Sequence, residues 1–233
     1  MTASIVVPHE LGNCKVRQRN WVHLRERWGA HYPRWPIVYG TCPGEWRVAQ
    51  AITNGVMRAP PGIVIIADAD VWVPSIERAV HMAREKNTWV EPYKWFITLT
   101  DKATKSVIRG DLDLDRGMRK PQHWDKPPKK NPTPCAGIVV MPRDLALGIP
   151  GDTRFKGWGW RDKSWGIALN TLAGPSLKAG LLLAHFWHPY PGWPKDRAGN
   201  PDNYTLYQEY VAAEGDQERM RVILQRARQH AER

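Results

Sequence analysis

Cysteine is scarce in this chain. Cys14, Cys42 and Cys135 are odd in number and far apart, with no paired spacing that could close a zinc site or a disulfide framework. That excludes a disulfide-stapled fold, and a reducing, cytoplasmic setting is expected. Long hydrophobic runs are missing too: nothing approaches the ~18 apolar residues of a membrane span. The opening run at Ser4–Val7 stops at Pro8 with no basic stretch before it, too short for a secretory signal. No membrane partner and no obligate protein partner are expected. Acidic residues are in deficit, 23 Asp plus Glu against 34 Lys plus Arg, a formal charge of +11 that fits a polyanionic partner. Phenylalanine occurs only 3 times, whereas tryptophan occurs 13 times in 233 residues, so large flat side chains are expected to line a surface as well as fill a core.

What is there reads as alternating strands and helices. Ser4–Val7, Pro36–Tyr39 and Gly62–Ala67 are short β-branched or apolar runs, the last of them apolar on both faces, as a central parallel strand must be. Between them Val16, Trp21, Leu24 and Trp28, then Val48, Ile52 and Val56, recur at helical spacing, the second group with a small-residue face at Ala49, Ala51 and Gly55. Ile76, Ala79, Val80 and Ala83 form a third helical stripe. This order predicts an open α/β sheet whose ligands sit beyond the carboxyl ends of its strands, just after Val7, Tyr39 and Ala67. Trp89–Leu99 is expected to continue the sheet. Residues 101–131 turn basic with little apolar periodicity and are expected to be a mobile excursion. A strand at Cys135–Met141, a helix at Ser164–Leu172, a strand at Leu181–Trp187 and a helical tail over 203–233 complete the reading.

Asp68-Ala69-Asp70 directly follows the strongest strand and aims two carboxylates at the predicted crevice. Close carboxylates repel unless a cation lies beside them. The same pair after a strand also serves as a solvated turn, or as a cap for the helix that follows, and taken alone the two readings are balanced. Further along, Phe155-Lys156-Gly157-Trp158-Gly159-Trp160-Arg161-Asp162 precedes a helix.

Taken in order, Pro8-His9, Arg17, Arg47 with Asn54-Gly55, Asp-x-Asp at 68–70, the strand at Gly137, Gly-Trp-Gly-x-x-Asp at 157–162 and His188 resemble GT-A-fold nucleotide-sugar glycosyltransferases, of the galactosyltransferase-like and family-two-like groups. The resemblance is sparse but spans residues 4–188. It implies a GT-A-like, open, mostly parallel α/β sheet flanked by helices over residues 1–202. Pro8, His9, Arg17, Arg47 and Asn54 then line a donor nucleotide pocket, Asp68 approaches the ribose, and Asp70 holds Mn²⁺ or Mg²⁺ with His188, and with His185 beside it. Such an ion neutralises the charge that builds as a nucleoside diphosphate leaves. Asp162 is the general base that takes the acceptor's hydroxyl proton, which implies inversion. The family pattern usually carries Glu-Asp where this chain has Arg161-Asp162, so an acidic group that helps to position the acceptor is missing and Arg161 is free to meet an anionic acceptor.

On the acceptor side, Trp158 and Trp160, with Arg161, and Trp124 among Lys126, Lys129 and Lys130 interleave stacking faces with cations, a format for nucleobases and also for sugars. The expected function is transfer of a hexose from a nucleotide sugar, a UDP-hexose, to a hydroxyl. The favoured acceptor is a 5-hydroxymethylpyrimidine in DNA, as small bacteriophage glycosyltransferases use, in which case the setting is the host cytoplasm. A glycan or protein acceptor is the first alternative, and a non-catalytic nucleic-acid-binding α/β module the second.

Overall fold

The computed structural model describes residues 2–9, 14–117, 120–130, 133–157, 159–180, 182–189 and 200–231. In chain order the elements are β1 (Ala3–Pro8), α1 (Lys15–His31), β2 (Ile37–Gly40), α2 (Val48–Arg58), β3 (Ile63–Ala67), β4 (Val71–Trp72), α3 (Glu77–Lys86), β5 (Val90–Glu91) and β6 (Trp95–Thr98). Then come α4 (Asp101–Arg109), α5 (Leu114–Gly117), β7 (Lys129–Lys130), β8 (Ile138–Pro142), α6 (Arg143–Gly148), α7 (Arg161–Ala173), β9 (Leu177–Lys178), β10 (Leu182–His185), α8 (Pro201–Ala212) and α9 (Gln217–Ala231).

The large sheet has the order β2-β1-β3-β8-β5-β9, in which β8 alone runs against the others. Its strands alternate between two cores, because successive side chains in a strand point to opposite faces. Ile5, Val7, Ile63 and Ile65 face α1 and α3 through Trp21, Leu24, Trp28, Val80 and Ala83. Val6, Val64 and Ile66 face the other way, onto Ile52 and Val56 of α2, Trp165 and Leu169 of α7, and Leu206, Tyr210, Met220 and Leu224 of α8 and α9. Each of these aliphatic side chains contributes about 1.5–3 kcal/mol when fully buried. The small-residue face of α2 has a geometric reason: a Cβ on Gly40 would lie 2.2 Å from the carbonyl oxygen of Ala51, and one on Gly55 2.6 Å from Cγ1 of Val6. Helix and strands therefore meet backbone to backbone.

The structure departs from the sequence reading in two places. Trp89–Leu99 does not simply continue the sheet. It divides at Pro92, β5 staying in the large sheet while β6 joins a second sheet of order β4-β10-β6-β7. The basic segment 101–131, expected as a mobile excursion, carries α4, capped by the Thr100 hydroxyl accepting from the Ala103 N–H at 3.0 Å. Ala103 and Val107 of α4, with Leu114 of α5, are buried in the first core. The buried face of α4 is Ala, Thr and Val, too small to stand out in a lysine-rich composition.

Candidate functional site

The second sheet builds the centre of the site. β3 ends at Ala67, and the Asp68 N–H donates to the Gly137 carbonyl at 2.7 Å, which turns the chain at a position where Gly137 has φ 76°. β4 then pairs antiparallel with β10, Val71 opposite His185 and Trp72 opposite Ala184, and the Phe186 N–H donates to the Asp70 carbonyl at 2.8 Å. That register brings Asp70 to His185 and His188. His188 Nε2 lies 3.3 Å from Asp70 Oδ2, and His185 Nε2 3.7 Å from Oδ1. Arg17, from the first turns of α1, reaches the same Oδ2 at 3.2 Å.

Asp70 is buried. Burial alone would raise its pKa, but His185, His188 and Arg17 outweigh that and hold the carboxyl well below the usual carboxylate range. Asp68 shifts the opposite way, raised by burial and then by the Asp70 charge, with partial relief from Arg161 and Arg17. Burial lowers His185, against the pull of Asp70. His188 is raised: burial works against its charge, yet the hydrogen bond to Asp70 and the contact of its Nδ1 with the Pro189 carbonyl at 3.0 Å prevail.

Asp70, His185 and His188 offer one oxygen and two imidazole nitrogens, all within 4.8 Å of one another. Among the described residues, His185 Nδ1 is buried with no hydrogen-bond partner. A mixed N/O donor set around one carboxylate, with an imidazole nitrogen left orphaned, fits a divalent transition ion.

Beside this cluster, at the carboxyl ends of β1 and β2, His9, Gln18, Trp21, Val22, Arg25, Tyr39 and Thr41 line a cavity of about 570 Å³. The His9, Trp21 and Tyr39 rings meet edge to face, with centroids 5.5–5.9 Å apart. Pro8 ends β1 opposite Gly40, and the His9 N–H donates to the Gly40 carbonyl at 2.8 Å. Asn54 Nδ2 donates to the Thr41 carbonyl at 2.8 Å and its oxygen accepts from Gln50, so Asn54 shapes the cavity wall through Thr41. Arg47 is the residue before α2, its N–H donating to Cys42 Sγ. Sequence reasoning did not single out Gln18, Val22, Arg25 and Thr41. Their only signal was a place on the outer face of the first helix or directly after a predicted strand.

On the other flank Arg161 and Asp162 open α7 as an ion pair. Burial raises the Asp162 carboxyl, opposed by Arg161, and both charges act on Asp68. Trp160 stacks on Tyr207 at 4.8 Å beneath the Lys163 ammonium, and Trp158 lies outside the described residues. Trp124 bridges to Leu99, while Lys129 and Lys130 pair with Phe96 and Trp95 on β6, exposed and two strands away from β10. Lys126 is exposed nearby. Of the other carboxylates, Asp152 is tied to Arg154 and Tyr210.

No protein-family model matches the chain, and no curated protein matches it. Solved structures do. GalNAc-T7 with UDP, GalNAc and Mn²⁺ matches at a TM-score of 0.51 and 13% identity, over 91% of this chain and 50% of that one. The chain has a GT-A-like fold. Two further likenesses are the Drosophila β1,4-galactosyltransferase 7 with manganese, UDP-Gal and xylobiose (TM-score 0.49, 8% identity, 86% of this chain and 81% of that one) and a glucosyl-3-phosphoglycerate synthase from Mycobacterium tuberculosis with Mn²⁺ and UDP (0.47, 12%, 91% and 79%). In this GT-A-like frame the Asp70 cluster and the aromatic cavity occupy neighbouring positions beyond the carboxyl ends of the parallel strands, where an open α/β sheet binds its ligands.

Proposed function

We propose that this chain is a metal-dependent glycosyltransferase that moves a hexose from a UDP-hexose to a hydroxyl with inversion. The observation that carries the reading is the Asp70–His185–His188 cluster set between an aromatic cavity and the Asp162 carboxylate. GalNAc-T7, at a TM-score of 0.51, holds UDP with Mn²⁺, which supports the same reading.

Asp70, His188 and His185 hold the divalent ion, whose chemistry when bound is to neutralise the diphosphate leaving group. His9, Trp21 and Tyr39 take the flat base, with Pro8, Arg47 and Asn54 shaping that pocket. Asp68 meets the ribose, and Arg17, on the helix between the cavity and Asp70, turns to the diphosphate. Asp162 accepts the acceptor's proton as that oxygen bonds to the anomeric carbon and the bond from that carbon to the phosphate oxygen breaks. An elevated pKa suits this role, because a base nearer the working pH transfers protons with less penalty.

For the acceptor we favour a 5-hydroxymethylpyrimidine in DNA, supported by the net charge of +11 and by exposed Lys126, Lys129 and Lys130. Trp124, Trp158, Trp160 and Arg161 are assigned to that side. The test is mass spectrometry after incubation with a panel of nucleotide sugars and with hydroxymethylated DNA, unmodified DNA and free glycosides. A hexose mass added to hydroxymethylated DNA alone is expected. Transfer only to glycosides removes the DNA acceptor, and no transfer from any donor removes the enzyme.

A further inference from the structure

The turn that presents Asp162 is tied to a distant helix. Gly157, Gly159 and Trp160 all have left-handed backbone, with φ of 62°, 103° and 68°. Glycine adopts that region freely, but a tryptophan there is strained. Among its described residues the Arg161 N–H donates to the Gly159 carbonyl at 2.9 Å, and the Trp160 carbonyl accepts from the N–H of Ser164 at 3.0 Å. Further support comes from α8, more than forty residues further along the chain.

Asn203, in the first turn of α8 and 2% exposed, grips the turn with its whole amide. Its Nδ2 donates to the Lys156 carbonyl at 2.8 Å and to the Gly159 carbonyl at 3.2 Å, and its Oδ1 accepts from the Lys156 N–H at 3.1 Å. The next residue, Tyr204, and Tyr207 one turn on pack on the Trp160 ring at 4.9 and 4.8 Å, offsetting the strain at that residue. We infer that Asn203 is a positioning residue: by clamping Lys156 and Gly159 it fixes the turn that aims Asp162, so that α8 is a working part of the acceptor side. The catalytic half of this inference rests on the proposed role of Asp162.

A helix that merely stabilises the fold predicts something different, and Tyr210 supplies the control. It lies on the same helix, buried, with its hydroxyl donating to Asp152 at 2.9 Å, outside the turn, and its ring against Phe155, a contact that phenylalanine keeps. The experiment compares Asn203→Asp, Asn203→Ala and Tyr210→Phe in the full chain. Asn203→Asp keeps the size and the oxygen facing the Lys156 N–H but sets a second oxygen against two carbonyls, and Asn203→Ala serves if that variant does not fold. Amide hydrogen exchange over 156–162 is expected to quicken by about tenfold or more in the Asn203 variants, with the interior of α7 still protected. Their kcat for hexose transfer is expected to fall about 10²-fold at unchanged UDP affinity, as for a misaimed base. Tyr210→Phe is expected to lower the melting temperature while leaving loop exchange and kcat at wild-type values. Wild-type exchange in the Asn203 variants, or losses in all three that simply track the melting temperature, overturns the inference. If the wild-type protein transfers no sugar, the Asp162 reading fails while the exchange measurement still decides the clamp.

Discussion

On the side proposed for the donor, Pro8, Tyr39 and Asp68 stand within one residue of strand ends, and Asp70 two residues later, so the large sheet places them by covalent continuity. On the side proposed for the acceptor, Arg161 and Asp162 follow a turn in which Gly157, Gly159 and Trp160 are left-handed, held by an asparagine and two tyrosines from a distant helix. The first arrangement inherits the stiffness of a sheet covered on both faces. The second leans on contacts between a loop and a helix more than forty residues away. Changes in the donor half should therefore act through binding or through global stability, and changes in the acceptor half through rate.

The largest expected effect falls on the centre that both halves share. Asp70→Ala should abolish transfer and Mn²⁺ binding by calorimetry, and excess EDTA should silence the wild-type protein until Mn²⁺ is restored. Full turnover in chelator would sink the metal reading. From sequence alone Asp70 resembles a surface carboxylate whose loss hardly moves the melting temperature. Its burial among Arg17, His185 and His188 reverses that expectation. Breaking a fully buried pair costs about 3–5 kcal/mol, and because Arg17 is 51% exposed the drop here should be smaller but measurable.

Asp162→Asn keeps the shape but removes the proton acceptor, so kcat should fall by about 10² to 10⁴ fold while UDP binding survives. The pH profile sharpens the same point. A base must be deprotonated to act, so its rate falls as pH drops through the folded-state pKa, and burial has moved that limb above the ordinary carboxylate position. Arg161 opposes the rise, so Arg161→Ala should carry the acid limb of kcat to higher pH. An unmoved limb assigns the base elsewhere.

The donor half is probed by Gly55→Ala. The added methyl meets Val6 across the α2–β1 contact, and overpacking of this kind costs about 1–3 kcal/mol, read in urea unfolding. If the comparison holds, the kcat of the folded fraction stays near wild type. The smallest effect is expected from Lys126, Lys129 and Lys130 changed together to Ala. Each phosphate contact contributes a slope of about −0.9 in log affinity against log salt, so DNA binding should become less salt-sensitive while UDP binding is untouched. An unchanged slope separates the lysines from the acceptor.

Periodicity made β1, α1, β2, α2, β3 and α3 legible because each carries a regular apolar stripe or an unbroken apolar run, a property of neighbouring residues. Asp68 and Asp70 were legible for the same reason, as the polar residues that end the strongest run. His185 and His188 were named only through a resemblance in motif order. Nothing local in a histidine at the end of an apolar strand separates a ligand from a packed ring. Gln18, Arg25 and Thr41 of the cavity and Asn203 of the clamp carried no motif at all.

The chain by itself determined the strands β1, β2 and β3, the helices between them and the crevice at their carboxyl ends, since these follow from apolar side chains at fixed spacing along a continuous backbone. Tertiary structure decided the rest. The second sheet pairs β4 with β10 and β6 with β7; β4 and β7 are two-residue strands too short to signal themselves, and the β4–β10 pairing carries His185 and His188 to Asp70. The left-handed Trp160 persists because aromatic packing and buried hydrogen bonds from α8 outweigh a local preference against it, and contacts between residues that far apart leave no periodic trace in the sequence.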